Sequence, residues 1–268
     1  MSYLARYLDA VEINTTFYRI APPRLAEGWL EAVRDRPRFL FSMKLWQGFT
    51  HESAEIDSPA ARSVAHVAQI LAQENRLACV LAQFPWSFRY GEAQVERIRQ
   101  LAGAFSQWRL VVEVRHGSWL RDEYLELLRR LGCGFCNIDQ PVIGASVPPT
   151  AIMTAPPAYI RLHGRRYDTW FAENEDAAKR YDYLYNREEI AEWVERIRQL
   201  AAKAEKTLVI ANNHFNAKAV ATILEMNHLL TGDNPAAPPE ILAAYPHLRA
   251  FCVEQPAEPH TQEQLALF

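Results

Sequence analysis

Arg109-Leu-Val-Val-Glu-Val-Arg-His116 is the stretch on which the fold turns. Successive side chains of a strand face opposite sides of its sheet. Val112 and Val114 therefore share one face, while Val111, Glu113 and Arg115 share the other, which passes from apolar to charged toward the C-terminal end. Tyr159-Ile-Arg-Leu-His-Gly-Arg165 repeats the pattern, with Arg161, His163 and Arg165 set against Ile160 and Leu162. Leu208-Val-Ile-Ala-Asn-Asn-His214 closes with Asn212 and His214. Separate strands that each bring ionisable groups to their C-terminal ends describe a pocket.

Working outward, periodicity predicts seven strands, over residues 10–18, 39–45, 78–85, 109–116, 134–139, 158–164 and 207–214, with helical segments between them. The helix over 187–202 is the best specified. Asn186 can cap it, Glu189 follows three residues later, and Ile190, Trp193, Val194, Ile197 and Leu200 make its buried stripe. Ser58 before Pro59 opens another helix in the same way.

Strand alternating with helix implies a parallel sheet. In an open doubly wound sheet both strand faces are apolar, whereas here one face is repeatedly polar near its end, which favours a TIM-type (β/α) barrel. Phe39, Phe41, Met43 and Leu45 would face the helices, with Ser42 and Lys44 in the mouth. Glu12 and Asn14 oppose Val11 and Ile13, and Asn137 and Asp139 oppose Cys136 and Ile138. No glycine-rich phosphate loop follows any strand, which argues against dinucleotide binding.

The chain's 268 residues, 49% of them hydrophobic, suffice for one large core, read as a single barrel domain over 1–253 with a flexible tail over 254–268. A net charge of -3 assigns the protein to neither nucleic acid nor membrane in bulk, so any anion site must be local. With no secretory signal and no bilayer-length apolar run, the expectation is a cytoplasmic protein without a membrane partner. Cys79, Cys133, Cys136 and Cys252 are too few for a disulfide framework. Cys133-Gly-Phe-Cys136 has a metal-like spacing but lacks two further ligands at a telling interval.

Val11-Glu-Ile-Asn-Thr-Thr-Phe-Tyr-Arg19, Phe41-Ser-Met-Lys44, Thr50-His51, Gln83-Phe-Pro85, Glu113-Val-Arg-His-Gly-Ser-Trp119, Tyr159-Ile-Arg-Leu-His-Gly-Arg165, Arg180-Tyr-Asp-Tyr-Leu-Tyr185 and Asn212-Asn-His214 occur in this order. Together they resemble the YecE-like proteins, a domain family of unknown function, from about residue 3 to about residue 230. The resemblance implies an eight-stranded barrel of the triosephosphate-isomerase type and no particular activity. Members usually open with a strand carrying Gly-Thr-Ser-Gly-Trp. This chain starts at Met1-Ser-Tyr-Leu-Ala-Arg6, which looks like the helix after that strand. Either seven strands close the barrel or a gap lies between the first and the last.

Lys44, Arg115, Arg161 and Arg165 place four cations around one mouth, a density that suits an anionic or phosphorylated ligand. Glu113, Asp139, His163 and His214 are the candidate catalytic groups, either as general acid and base or as holders of a divalent metal that activates water. Glu12, Asn14, Gln83, His116 and Asn212 complete the expected pocket. The structural alternative is that Glu113 with Arg115, or Glu12 with Arg161, are inward ion pairs that satisfy each other. The leading expectation is a hydrolase acting on phosphoesters or nucleic acid. An isomerase or aldolase with Lys44 as Schiff-base lysine is a third possibility, which the neighbouring arginines disfavour. Trp119, Trp170, Tyr181, Tyr183 and Tyr185 could stack on a base or sugar, or pack.

The proline-rich, polar run Glu254–Glu263 leads to Gln264-Leu-Ala-Leu-Phe268, which resembles the peptide that docks on the bacterial DNA polymerase sliding clamp. Gln264, Leu265, Leu267 and Phe268 are its expected contacts. The second functional expectation is therefore a non-catalytic module that binds nucleic acid or a phosphorylated ligand and is brought to DNA by this tail.

Overall fold

A computed structural model describes residues 1–167 and 181–255. Seven strands form one sheet: β1 (Ala10–Ile13), β2 (Leu40–Lys44), β3 (Leu77–Gln83), β4 (Leu110–Glu113), β5 (Gly134–Asp139), β6 (Ala158–Leu162) and β7 (Thr207–Ala211). They pair in chain order, every neighbour parallel. β1 and β7 meet without a ladder between them, so the sheet curls into a nearly closed barrel with a seam. Helices α1 (Thr15–Tyr18), α2 (Pro23–Glu31), α3 (Gln47–Thr50), α4 (Pro59–Gln73), α5 (Glu92–Ala104), α6 (Asp122–Leu131), α7 (Arg187–Ala201), α8 (Lys218–Thr231) and α9 (Pro239–Ala244) fill the connections. No helix among the described residues is long and apolar enough to cross a membrane.

The caps read from the sequence are present. Asn186 accepts from Glu189 N at 2.9 Å while Glu189 accepts from Asn186 N at 3.0 Å, a reciprocal box that satisfies two donors α7 cannot pair internally. Ser58 accepts from Ala61 N, with Pro59 at the first position of α4. Outward-facing Phe41, Met43, Val80, Ala82, Val112 and Phe135 pack on Val64 and Leu71 of α4 and Ile98 and Leu101 of α5. Ile160 and Leu162 pack on Trp193 and Ile197 of α7.

The barrel interior has two storeys. Cys79, Leu81, Val111, Cys136, Ile138, Tyr159 and Leu208 form an apolar cluster of their own. This corrects the expectation for β5. Cys136 and Ile138 face inward, and Asn137 and Asp139 face the outer shell. Asn137 accepts from Ile152 N at 2.7 Å and donates to Ile152 O at 2.9 Å, tying down the segment before β6. Because the lower storey is apolar, polarity alone did not report which side of β5 was inside.

Several boundaries also differ, most strands being shorter than their periodic segments. The strand expected over 10–18 ends at Ile13, and Thr15–Tyr18 turns into helix, where Thr16 Oγ1 donates to Ile13 O and Lys44 O at 2.9 and 2.7 Å. Residues 4–6 form a single 3-10 turn rather than an α-helix. A short parallel ladder also joins Val253 and Glu254 to Ala236 and Ala237. Replacing the α7 cap, Asn186→Ala, should lower the unfolding free energy in urea by about 1 kcal/mol with the denaturant slope unchanged.

Candidate functional site

Arg161, at the end of β6 and 1% exposed, is the centre of the upper storey. Its Nη1 donates to Glu113 Oε2 on β4 and its Nη2 to Glu12 Oε1 on β1, each at 2.6 Å. Tyr159 donates its hydroxyl to Glu12 Oε2 at 2.9 Å, so Ser42 Oγ, 2.7 Å from that hydroxyl, is the donor of the next bond. Arg115 Nε donates to Glu113 Oε1 at 3.0 Å. Both ion pairs of the structural alternative therefore exist, joined into one network.

Burial alone would push Glu113 up, but Arg161 and Arg115 outweigh it and hold its carboxyl well below the usual range. Burial disfavours the Arg161 charge, yet Glu113 and Glu12 keep it firmly protonated. Glu113, expected as a general base, is thus a permanent counter-charge with little affinity for a proton.

His163, fully buried, has Nδ1 at 3.2 Å from Asn212 Nδ2, and Nε2 at 3.2 Å from Glu113 Oε1. The amide nitrogen can only donate, so Nδ1 accepts and Nε2 carries the ring proton. Burial, only partly opposed by Glu113, pushes the ring down to about 3. His163 is a neutral spacer under the site.

Above this layer, Asn14, Tyr18, Lys44, Gln83, Arg115, Arg161, Tyr181, Asn212 and His214 line a cavity of about 280 Å³. Lys44 enters from β2, its Nζ 3.7 Å from the centre of the Phe17 ring, and makes no ion pair among the described residues. Burial, then the Arg161 charge, lowers it to about 7. His51 stands edge-on to Phe17, and burial with Lys44 lowers it to about 4. His214 Nδ1 lies 3.0 Å from Asn212 O. A carbonyl only accepts, so Nδ1 bears a proton, and the tautomer this contact selects for a neutral ring has its lone pair on Nε2.

Three expected site residues stand elsewhere. Asp139 leaves the mouth for the outer side, where it accepts from Arg165 Nε at 3.0 Å and Tyr185 Oη at 2.6 Å, and burial raises its pKa. Arg165 goes with it, reaching Glu189 and Glu192 of α7, and is not a pocket cation. Gly164 separates them from His163. Its φ of 89° lies in the left-handed region and a Cβ there would fall 2.6 Å from Tyr183 Cβ, so the strand alternation that put His163 and Arg165 on one face is broken. His116 pairs with Ser118 at 2.8 Å and lies beside Trp86, outside the cavity lining. Trp119 is core, and Trp170 and Gln264–Phe268 lie outside the described residues. Tyr18 and Tyr159 were not anticipated. Tyr18 was concealed by a strand assignment, and a strand tyrosine beside an acidic partner carries no local signal.

The donor set does not suit a divalent metal. Glu113 is occupied by two guanidiniums, Asp139 points away, and no group of three or more His, Cys, Asp or Glu side chains among the described residues could hold an ion.

The family model described as "Protein of unknown function DUF72" matches residues 1–243. The chain belongs to the DUF72 family. It is 27% identical over 241 residues to UPF0759 protein YunF of Bacillus subtilis, covering 84% of either chain. A crystal structure of a DUF72 family protein from Thermotoga maritima aligns with a TM-score of 0.74 at 31% identity, over 83% of this chain and 85% of that one. One from Enterococcus faecalis aligns at 0.77 and 25%, over 85% and 87%. The fold is thus shared with solved members of the family.

A pH dependence follows from His163. Unfolded, its ring titrates near 6.5; folded, near 3, so between those values the unfolded chain binds a proton that the folded chain refuses. Stability therefore falls as pH drops through this window, by at most roughly 1.4 kcal/mol per pH unit for this group. Urea melts between roughly pH 5 and 6.5, above most carboxylate titration, should show this decline, and His163→Gln should flatten it by close to one proton.

Proposed function

We propose that the barrel mouth of this DUF72 protein binds a small anionic ligand and hydrolyses a phosphoester. The carrying observation is the convergence of Lys44, Arg115 and Arg161 on one cavity otherwise lined by Asn14, Gln83, Asn212, His214 and two tyrosines. Three cations against the two carboxylates Glu12 and Glu113 leave one positive charge, which an anion in the cavity would complement. Arg offers paired donors to phosphate and Lys a point charge.

In this reading His214 is the base. Water attacks phosphorus and gives its proton to His214 Nε2, the ester P–O bond breaks, and the leaving oxygen takes a proton from the Lys44 ammonium, whose value of about 7 suits an acid at neutral pH. Arg115 and Arg161 hold the charge that develops on the phosphoryl oxygens. Glu113 acts through Arg161 and Arg115 by keeping them in place.

The alternative is a non-catalytic phospholigand or nucleic-acid module. For either, we propose that Gln264-Leu-Ala-Leu-Phe268 ties the barrel to a sliding clamp at DNA; its support is the peptide's own pattern. A synthetic peptide with this sequence should bind the clamp, and Phe268→Ala should weaken it.

Inorganic phosphate titrated against the full chain should bind, with Arg115→Gln costing about tenfold in affinity. A panel of phosphomonoesters and phosphodiesters should reveal turnover that His214→Gln removes without loss of phosphate binding. Binding without turnover would leave the module, and absence of both would remove the anion pocket.

A further inference from the structure

We propose that Lys44 forms a reversible Schiff base with small aldehydes or ketones that carry a phosphate or carboxylate group. The anionic half of this statement rests on the pocket reading above; the covalent half rests on how Lys44 is held. A surface lysine stays an ammonium because water and carboxylates surround it. Lys44 is held differently: it is only 8% exposed, its amine lies against the Phe17 ring, and it makes no ion pair among the described residues, although Glu12 and Glu113 act on it from a distance. Yet the side chain lines the cavity, so a ligand can reach it.

The charges around it act in one direction on balance. Glu12 from β1 and Glu113 from β4 favour the ammonium, while burial, Arg161 from β6 and Arg115 beyond β4 oppose it and prevail, leaving Lys44 at about 7. His51, lowered to about 4, adds no charge near neutrality. A large share of the amine therefore carries a free lone pair at ordinary pH.

The step balances within the site. The neutral amine adds to the carbonyl carbon, forming C–N while the carbonyl π pair moves to oxygen. A proton passes from nitrogen to that oxygen, giving a carbinolamine. The C–O bond then breaks, the oxygen takes a second proton and leaves as water, and a C=N bond remains. Once protonated, the iminium holds the positive charge formerly on the ammonium, so the balance against Glu12 and Glu113 is preserved. The anionic group of the ligand would lie between Arg115 and Arg161.

Reductive trapping tests this on the full chain. Glycolaldehyde phosphate and uncharged glycolaldehyde are each supplied with cyanoborohydride, whose hydride converts the imine to a stable secondary amine, and the modified lysines are mapped by peptide mass spectrometry. The sequence has five lysines, and exposed Lys203 and Lys206 serve as internal references. Lys44 should be labelled at least about tenfold faster by the phosphorylated aldehyde than by the uncharged one, because the anion site concentrates the carbonyl beside the amine. Lys203 and Lys206 should show no such preference. Excess inorganic phosphate should protect Lys44 alone, and its labelling should rise as pH passes through about 7.

Lys44→Arg keeps a cation and cannot form an imine; it should lose the selective label. Should that variant fail to fold, the comparison of Lys44 with Lys203 within the wild-type chain decides alone. Labelling of Lys44 no faster than Lys203 overturns the Schiff base; if phosphate still binds, the pocket survives. Fast labelling without preference for the charged probe overturns the anionic substrate class. Absence of both phosphate binding and selective labelling overturns the two readings together.

Discussion

One buried guanidinium organises the upper half of this barrel. Arg161 joins β6 to β1 through Glu12 and to β4 through Glu113, strands that are not neighbours in the ladder. β1 and β7 share no backbone ladder, so Arg161–Glu12 and Tyr159–Glu12 link the two sides of the seam by side chains instead. Buried ion pairs recover their desolvation cost only with near-ideal geometry and further hydrogen bonds, and here each carboxylate has additional partners. Removal of one member would strand a charge where water cannot reach it, a loss typically of roughly 3–5 kcal/mol.

The site's electrostatics follow from that network. Because the two carboxylates are committed to Arg161 and Arg115, Glu113 is held well below the usual carboxylate range, and Lys44 lies beside cations with no ion pair among the described residues. Neutral His163 fills the space beneath Asn212, so the floor of the cavity changes little in charge between mildly acidic and neutral pH. The amine of Lys44, lowered to about 7, is thereby placed on the cavity wall, where a ligand would meet it. A second polar cluster, Asp139 with Arg165, Tyr185 and α7, pins the outer end of β5 and β6 and belongs to packing rather than to the cavity.

Much of this was legible along the chain. Seven strand segments, the Asn186 and Ser58 caps, and the inward set Glu12, Lys44, Gln83, Glu113 and Arg161 follow from period-two alternation and cap chemistry, which are local properties. The failures share a cause. Alternation names two faces without saying which is inside, and β5 inverts because its inward Cys136 and Ile138 meet an apolar storey. It also assumes an unbroken strand, whereas β6 stops at Leu162 with left-handed Gly164 turning the chain between His163 and Arg165, and α1 replaces the strand before Tyr18.

The sequence by itself determined the family, the alternation of strand and helix, and the delivery of charge to strand ends, because each depends on residues close together in the chain. Only the tertiary structure decided which charges meet. Glu12 and Arg161, 149 positions apart, form a pair because the sheet curls, and the same curl separates Asp139 from Glu113 and leaves Lys44 without an ion pair among the described residues. Coulomb energies and desolvation depend on distance and burial in space, and neither is written in the spacing of residues along a strand.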